Sequence, residues 1–162
     1  MFQKTIKKSF VLDGKGLHLG KDVRMTMHPA PADHGIVFKR SDVKDDRAYI
    51  KASFENVSKT YLRTQLTNSF GVSIITAEHV LAALAGLGIH NALVELSEAE
   101  VPIFDGSSRV FVKAILQSGV IELKKKTKLY QVVNSIRVGS LNAWAELRPA
   151  KTFSIDFEMD WP

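Results

Sequence analysis

The stretch of residues 72–96 constrains the fold more than any other part of this sequence. A short strand pattern at residues 72–74 runs directly into an apolar helical pattern over residues 76–87, and a second strand pattern follows at residues 91–96. Thr76 is predicted to be the N-cap of the helix, and two glycines suit its end. A strand, a helix and a strand in this order favour a helix that crosses back over a sheet.

Glu78 and His79 stand side by side in the first turn of this helix, which is predicted to be buried. The positive end of the helix dipole opposes protonation of His79 and so favours the neutral imidazole that binds metals. Desolvation would have to offset the same field if Glu78 is to act as a base. For the dipeptide alone, a solvated first-turn acid beside an ordinary capping or core histidine is the more common interpretation.

The two sides of this helix differ in size and polarity. Three small residues follow His79 at helical spacing and predict a smooth face that another element could approach: Ala82, Ala83 and Gly86. The larger apolar residues are predicted to face the sheet: Val80, Leu81, Leu84 and Leu87.

The remaining sequence predicts strands around this helix and a second helix after it. The strand patterns cover residues 3–12, 23–28, 35–39, 49–52 and 61–66. Glycines in the loop Gly16–Gly20 either let the backbone pass close to another group or serve a plain hairpin. Ser107 or Ser108 is predicted to cap a second helix that ends near Ser118.

We therefore predict an α+β fold, a two-layer sandwich in which about five strands carry two helices on one face. This first domain is predicted to span residues 1–123. The lysine-rich residues 124–128 are predicted to be a linker, because no aromatic residues interleave with the lysines. Residues 129–162 show strand patterns only and predict the beginning of a second, incomplete α/β domain.

Composition narrows the functional classes. The chain has no cysteine, so any zinc site needs histidine and carboxylate ligands. No apolar run reaches the roughly 20 residues of a membrane span, and the amino terminus does not resemble a signal peptide, so a cytoplasmic protein is expected. The net charge of +5 arises in residues 1–80, with 13 Lys and Arg against 8 Asp and Glu. Charge alone is weak support for binding an anionic ligand or nucleic acid.

Several motifs, in order and spacing, resemble the bacterial UDP-3-O-acyl-N-acetylglucosamine deacetylases of lipid A biosynthesis. These motifs are Gly16-Leu17-His18 with Gly20, Pro29-Ala30-Pro31, Gly35-Ile36-Val37-Phe38, Thr76-Ala77-Glu78-His79, Leu84-Ala85-Gly86-Leu87-Gly88-Ile89 and Val101-Pro102-Ile103-Phe104-Asp105-Gly106-Ser107. The resemblance runs from about residue 3 to the end of the chain.

The resemblance implies a zinc-dependent enzyme that hydrolyses the N-acetyl amide of this UDP-sugar substrate through a metal-bound water. By the family pattern Glu78 is the general base and His79 a zinc ligand. The same pattern places Leu17, His18 and Leu62 in the substrate site. It also implies a second domain that approaches the small-residue face of the helix.

The family pattern places the other zinc ligands, a His and an Asp, and the general-acid His beyond Pro162. The zinc site is therefore expected to be incomplete in this chain, and the isolated chain to be inactive. An alternative interpretation is a non-catalytic binding module that uses the exposed inner helix face to hold a partner chain. Nucleic-acid binding rests on charge alone and is not expected.

Overall fold

The structure, a computed structural model, describes residues 1–160, which fall into two compact units that divide after Thr127. The first unit contains two helices and ten strands. In chain order they are β1 (Phe2–Ile6), β2 (Phe10–Lys15), β3 (Asp22–Pro29), β4 (Ile36–Arg40), β5 (Tyr49–Lys51), β6 (Val57–Lys59), β7 (Gln65–Thr67), β8 (Ser73–Ile74), α1 (Glu78–Gly86), β9 (Ala92–Leu96), α2 (Arg109–Ser118) and β10 (Val120–Lys126).

A five-stranded sheet forms the frame of this unit, with strand order β2-β3-β9-β4-β5. The strands are antiparallel except for β4 and β9, which run parallel on either side of the segment that contains α1. Alternation in the sequence of β3 explains its orientation, because Val23, Met25 and Met27 are buried while the residues between them are not. The five-stranded sheet is confirmed, and α1 lies between two strands in the chain as predicted. Those strands, β8 and β9, belong to different sheets, so the predicted return of the helix across one sheet is not observed.

The helices cover the core of this unit and contact each other. Each helix buries one apolar stripe, made of Val80, Ala83 and Leu84 in α1 and of Phe111 and Ile115 in α2. Phe111 is fully buried and meets the ring of Phe104 edge to face at 5.3 Å between centroids. Helices packed on a largely antiparallel sheet confirm the predicted α+β class.

Two of the predicted strands are divided differently in the structure. The single strand predicted over residues 3–12 is two strands that belong to different sheets, since β1 pairs with β10 and β2 pairs with β3. Residues 61–66 were predicted as one strand, but only β7 begins within that range, and it pairs with β6 and β8. Alternation along one strand carries no information about the partner strand, so neither division was visible in the sequence.

The lysine run does not form a free linker along its whole length. Lys124–Lys126 are the last residues of β10, and Phe2 of β1 pairs with Lys126. Pairing along an edge strand tolerates exposed lysines, so the strand extends three residues beyond the predicted end of the first domain. The predicted domain boundaries themselves stay a prediction.

The second unit contains one hairpin, formed by β11 (Ile136–Gly139) and β12 (Trp144–Leu147). The guanidinium of Arg137 lies 3.7 Å from the ring centre of Trp144. Residues 129–162 were predicted from strand patterns, but the segments 129–133 and 153–159 form no strand, and residues 161 and 162 lie outside the described residues. No helix within residues 1–160 is long and apolar enough to cross a membrane.

Candidate active site

The start of α1 is built around Thr76, but not as the sequence predicted. Ala77 occupies the N-cap position, and the Thr76 hydroxyl instead donates a hydrogen bond to Oε1 of Glu100 at 2.8 Å. Thr76 is buried and has φ = 62°, a left-handed conformation that is rare for a β-branched residue. Such a conformation costs about 1–3 kcal/mol and persists only where the surroundings enforce it.

Glu78 and His79 follow in the first turn of α1. Oε2 of Glu78 accepts a hydrogen bond from the Thr64 N–H at 3.0 Å, which orients the carboxylate. The other oxygen, Oε1, lies 3.9 Å from Nε2 of His79. One carboxylate oxygen is therefore held by the protein, while the other lies next to the imidazole.

These two side chains are less buried than the sequence predicted. The side chain of His79 is 27% exposed and that of Glu78 is 38% exposed, so neither group is fully desolvated. The predicted small-residue face is also corrected at one position, because Ala83 points into the core. Ala82 and Gly86 are exposed as predicted, so a narrow stripe of small residues extends from the Glu78–His79 turn.

Glu100 is a buried carboxylate beneath this turn, only 1% exposed. Its backbone pairs with that of Ile75 in a short parallel bridge. The Ile75 N–H donates to the carbonyl oxygen of Ala99, and the Val101 N–H donates to the carbonyl oxygen of Ile75. Its carboxylate accepts the Thr76 hydroxyl on one side and two backbone N–H groups of the Gly16–Gly20 loop on the other. Those donors are His18, at 2.9 Å from Oε1, and Leu19, at 2.8 Å from Oε2.

Gly16 allows the loop to approach this carboxylate. A Cβ atom at residue 16 would lie 2.3 Å from Oε2 of Glu100 and 2.7 Å from its Cδ, well inside van der Waals contact. The expectation that glycines here let the backbone pass close to another group is therefore confirmed for Gly16, and the group is Glu100. Gly20 is needed for a different reason, since its φ is 63° with open space around it.

Burial by itself would raise the pKa of the Glu100 carboxyl group. The hydrogen bonds from the His18 and Leu19 N–H groups and from the Thr76 hydroxyl stabilise the charged form more strongly, so the pKa lies below its ordinary value. Glu100 is thus ionised near neutral pH, and its carboxylate accepts hydrogen bonds from three donors.

The residues that the family resemblance assigns to substrate binding lie on two surface loops. Leu17 and His18 are exposed in the Gly16–Gly20 loop, with Leu17 61% exposed. Leu62 is 75% exposed and precedes Thr64, whose N–H holds Glu78. The structure thus connects both loops to the start of α1, one through Glu100 and the other through Thr64.

The start of α2 also contacts the candidate site. Ser108 occupies the N-cap position of α2, but its hydroxyl donates to the carbonyl oxygen of His79 at 2.8 Å. The predicted capping role falls to Ser107, whose Oγ accepts the Arg109 N–H at 3.2 Å. The turn that carries His79 is therefore held from α2 as well.

A zinc ion sets a definite requirement on the donors of this site. A catalytic zinc takes three protein ligands and leaves one position open. Within residues 1–160 no group of three or more His, Asp or Glu side chains is arranged to hold a metal ion. His79 is a suitable nitrogen donor, but the described residues do not complete a zinc site.

Glu100 was not among the site residues predicted from the sequence. It lies at the start of the Val101–Ser107 motif, and an acid directly before a run of apolar residues that ends in a turn indicates a possible buried charge. Its partners could not be found, since they lie 24, 81 and 82 positions away in the chain.

Comparison with known proteins identifies the family. The model of the family LpxC, UDP-3-O-acyl N-acetylglycosamine deacetylase, matches residues 3–162. Curated relatives named UDP-3-O-acyl-N-acetylglucosamine deacetylase include one from Pseudoalteromonas atlantica, 45% identical over 98% of this chain and 52% of its own length, and one from Blochmanniella pennsylvanica, 41% identical over 98% and 53%. A third, from Shewanella frigidimarina, is 40% identical over 99% of this chain and 52% of its own length.

The chain spans about half the length of the curated relatives it matches. The family match nevertheless covers almost every residue of the chain and includes the Glu78–His79 turn and the Gly16–Gly20 loop. This chain therefore belongs to the UDP-3-O-acyl N-acetylglycosamine deacetylase family.

Proposed function

We propose that this chain supplies the general base and one zinc ligand of a UDP-3-O-acyl-N-acetylglucosamine deacetylase. The observation that carries the proposal is the geometry of the first turn of α1, where Glu78 and His79 lie together at the protein surface. Family membership supplies the reaction, hydrolysis of the N-acetyl amide, and the UDP-sugar substrate. The cytoplasmic location stays a prediction.

Glu78 is suited to the role of general base by its two different oxygens. Oε2 already accepts the Thr64 N–H, so the carboxylate cannot rotate freely. Oε1 is left to accept a proton from a water molecule on the side of His79. The base is therefore oriented before substrate binds, which reduces the entropy that must be lost on reaching the transition state.

His79 is proposed as one ligand of the zinc ion. When bound, zinc would polarise the amide carbonyl and activate water for attack. Because residues 1–160 do not complete the ligand set, we propose that the other ligands come from the part of the relatives that this chain does not match. Leu17, His18 and Leu62 are proposed to contact the substrate, since all three are exposed on loops connected to this turn.

A partner chain on the exposed face of α1 stays a prediction, and the comparisons give no support to the alternative of a non-catalytic binding module. The exposed stripe of Ala82 and Gly86 is consistent with close approach by the remainder of a full-length enzyme.

The proposal is tested in a chimera that joins this chain to the part of the Pseudoalteromonas atlantica relative that it does not match. We expect the chimera to bind one equivalent of zinc and to deacetylate the UDP-sugar, and the chain alone to do neither. Glu78→Ala in the chimera should abolish turnover and leave zinc bound. Glu98→Ala is the matched control, because it removes a carboxylate that pairs with Lys21 and not with the Glu78–His79 turn.

Two results would refute the proposal. Retention of the rate by the Glu78→Ala chimera would remove Glu78 from the role of base. Tight stoichiometric zinc in the chain alone, measured by metal analysis after dialysis, would show that the ligand set is already complete.

A further inference from the structure

We propose that Glu100 is a positioning residue that couples the Gly16–Gly20 loop to the start of α1. This inference rests on the proposed function, since it assigns the loop to the substrate and the helix to the base. Glu100 itself is buried and does not reach the surface where the reaction is proposed to occur. Its effect would pass entirely through the groups that it holds.

Glu100 holds the Gly16–Gly20 loop through two backbone donors. The His18 and Leu19 N–H groups both point at the Glu100 carboxylate, at 2.9 and 2.8 Å. The side chains of these residues are exposed, and their hydrogen bonds to Glu100 are made by the backbone. Two adjacent N–H donors on one carboxylate fix the orientation of that peptide segment and therefore the direction of the Cα–Cβ bond of His18.

Glu100 also contacts the residue that leads into α1. Thr76 is held at φ = 62° by a structure in which its hydroxyl donates to Oε1 of Glu100. Only Ala77 separates Thr76 from Glu78. A change in the backbone of Thr76 would therefore redirect the first turn of α1 and the carboxylate that it carries.

The loop and the helix start share one oxygen of Glu100. Oε1 of Glu100 accepts both the His18 N–H and the Thr76 hydroxyl, whereas Oε2 accepts the Leu19 N–H. A movement of the carboxylate that shortens one of these bonds disturbs the others. The loop and the helix start are thus placed relative to each other by a single charged group, which supports an active site through its surrounding residues.

Glu100→Gln tests the coupling with almost no change in volume. The glutamine side chain carries one oxygen and one NH2 group, so an N–H donor must face at least one of the three donors. In amide NMR spectra of the chain, we expect the resonances of His18, Leu19 and residues 76–78 to move. Glu98→Gln is the matched control and should move these resonances much less, because it reaches the loop only through the exposed Lys21, whose carbonyl oxygen accepts the Gly16 N–H.

Thr76→Val and Thr76→Ser give a second test if Glu100→Gln does not fold. Thr76→Val removes one donor from Oε1, so the His18 amide, which shares that oxygen, should shift more than the Leu19 amide. Thr76→Ser keeps the hydroxyl and should restore the wild-type resonances. Absence of any response of the His18 amide to Thr76→Val would overturn the proposal, as would equal responses to Glu100→Gln and Glu98→Gln.

Kinetics in the active chimera show whether the coupling matters for the reaction. We expect Glu100→Gln to lower kcat/KM by about tenfold or more, the effect of one lost hydrogen bond to a charged group, with a raised KM because the loop contacts substrate. Simple loss of folded enzyme would lower kcat and leave KM unchanged. If the Glu100→Gln chimera has the wild-type kcat and KM, the inference is overturned and the proposed function stands. If the unmodified chimera is inactive, the proposed function is overturned, and the amide spectra still decide the role of Glu100.

Discussion

Replacing Gly16 by alanine should destabilise this chain through one specific contact. The new Cβ atom would lie 2.3 Å from Oε2 of Glu100 and 2.7 Å from its Cδ. Real Cβ atoms do not approach other atoms so closely, so either the loop or the carboxylate must move. The carboxylate is held by the His18 N–H, the Leu19 N–H and the Thr76 hydroxyl, and moving it breaks or lengthens those bonds.

The magnitude follows from the two ways of relieving the clash. If the loop moves, the cost is that of overpacking a filled site, about 1–3 kcal/mol. If the carboxylate moves, at least one hydrogen bond to a buried charge is lost, about 1.5–3 kcal/mol each. We therefore expect Gly16→Ala to lower the free energy of unfolding by about 2–3 kcal/mol, measured by urea denaturation followed by circular dichroism.

Gly86→Ala is the matched control. Gly86 ends α1, has no atom within 4 Å of an added Cβ and does not adopt a left-handed conformation. Because alanine favours the helix over glycine by up to about 1 kcal/mol, this variant should be neutral or more stable. A free energy of unfolding of Gly16→Ala within about 0.5 kcal/mol of the wild-type value would be typical of a surface substitution. It would show that the close packing of the loop on Glu100 contributes nothing to stability.

Three further predictions address the core, the buried carboxylate and the domain boundary. Phe111→Ala should lower the free energy of unfolding by about 3–5 kcal/mol in urea denaturation, because it leaves a cavity beneath Phe104, whereas a loss below about 1 kcal/mol would contradict the observed packing. Since the pKa of Glu100 is lowered in the folded state, its ionised form stabilises the fold above the ordinary carboxyl range and this contribution is lost as pH falls through the folded pKa. The difference in unfolding free energy between wild type and Glu100→Gln should therefore shrink below about pH 4, and a difference that stays constant from pH 7 to pH 3 would contradict this. Limited trypsin digestion should cut after Lys128 before it cuts within Lys124–Lys126, because only the latter are paired in a strand, and mass spectrometry of the first product tests the boundary near Thr127.

The prediction of α1 from sequence succeeded in part and failed in an instructive way. The helical repeat located the element and the glycines located its end, since both depend on residues a few positions apart. The N-cap was wrong because a threonine before a helix has a strong local preference that a distant acceptor can override. Here the acceptor is Glu100, 24 residues later, and no local rule contains it.

The candidate site shows the same division. Glu78 and His79 could be selected from sequence, because an acid and an imidazole at a helix start are chemically unusual and match a family motif. Their exposure could not, since it depends on which elements cover the turn. Two contacts of the site could likewise not be predicted from the sequence. They are the hydrogen bond from the Thr64 N–H to Glu78 and the one from the Ser108 hydroxyl to the carbonyl oxygen of His79.

Sequence alone predicted the elements with a local period, the family, and Glu78 and His79 as the candidate base and zinc ligand. The tertiary structure alone decided that β1 and β2 join different sheets, that Ala83 faces the core, and that Gly16 must be glycine because Glu100 lies against it. The physical reason is range. Helical and strand periodicity arise from neighbouring residues, whereas sheet partners and buried charge networks join residues far apart in the chain, and only the folded backbone brings those residues together.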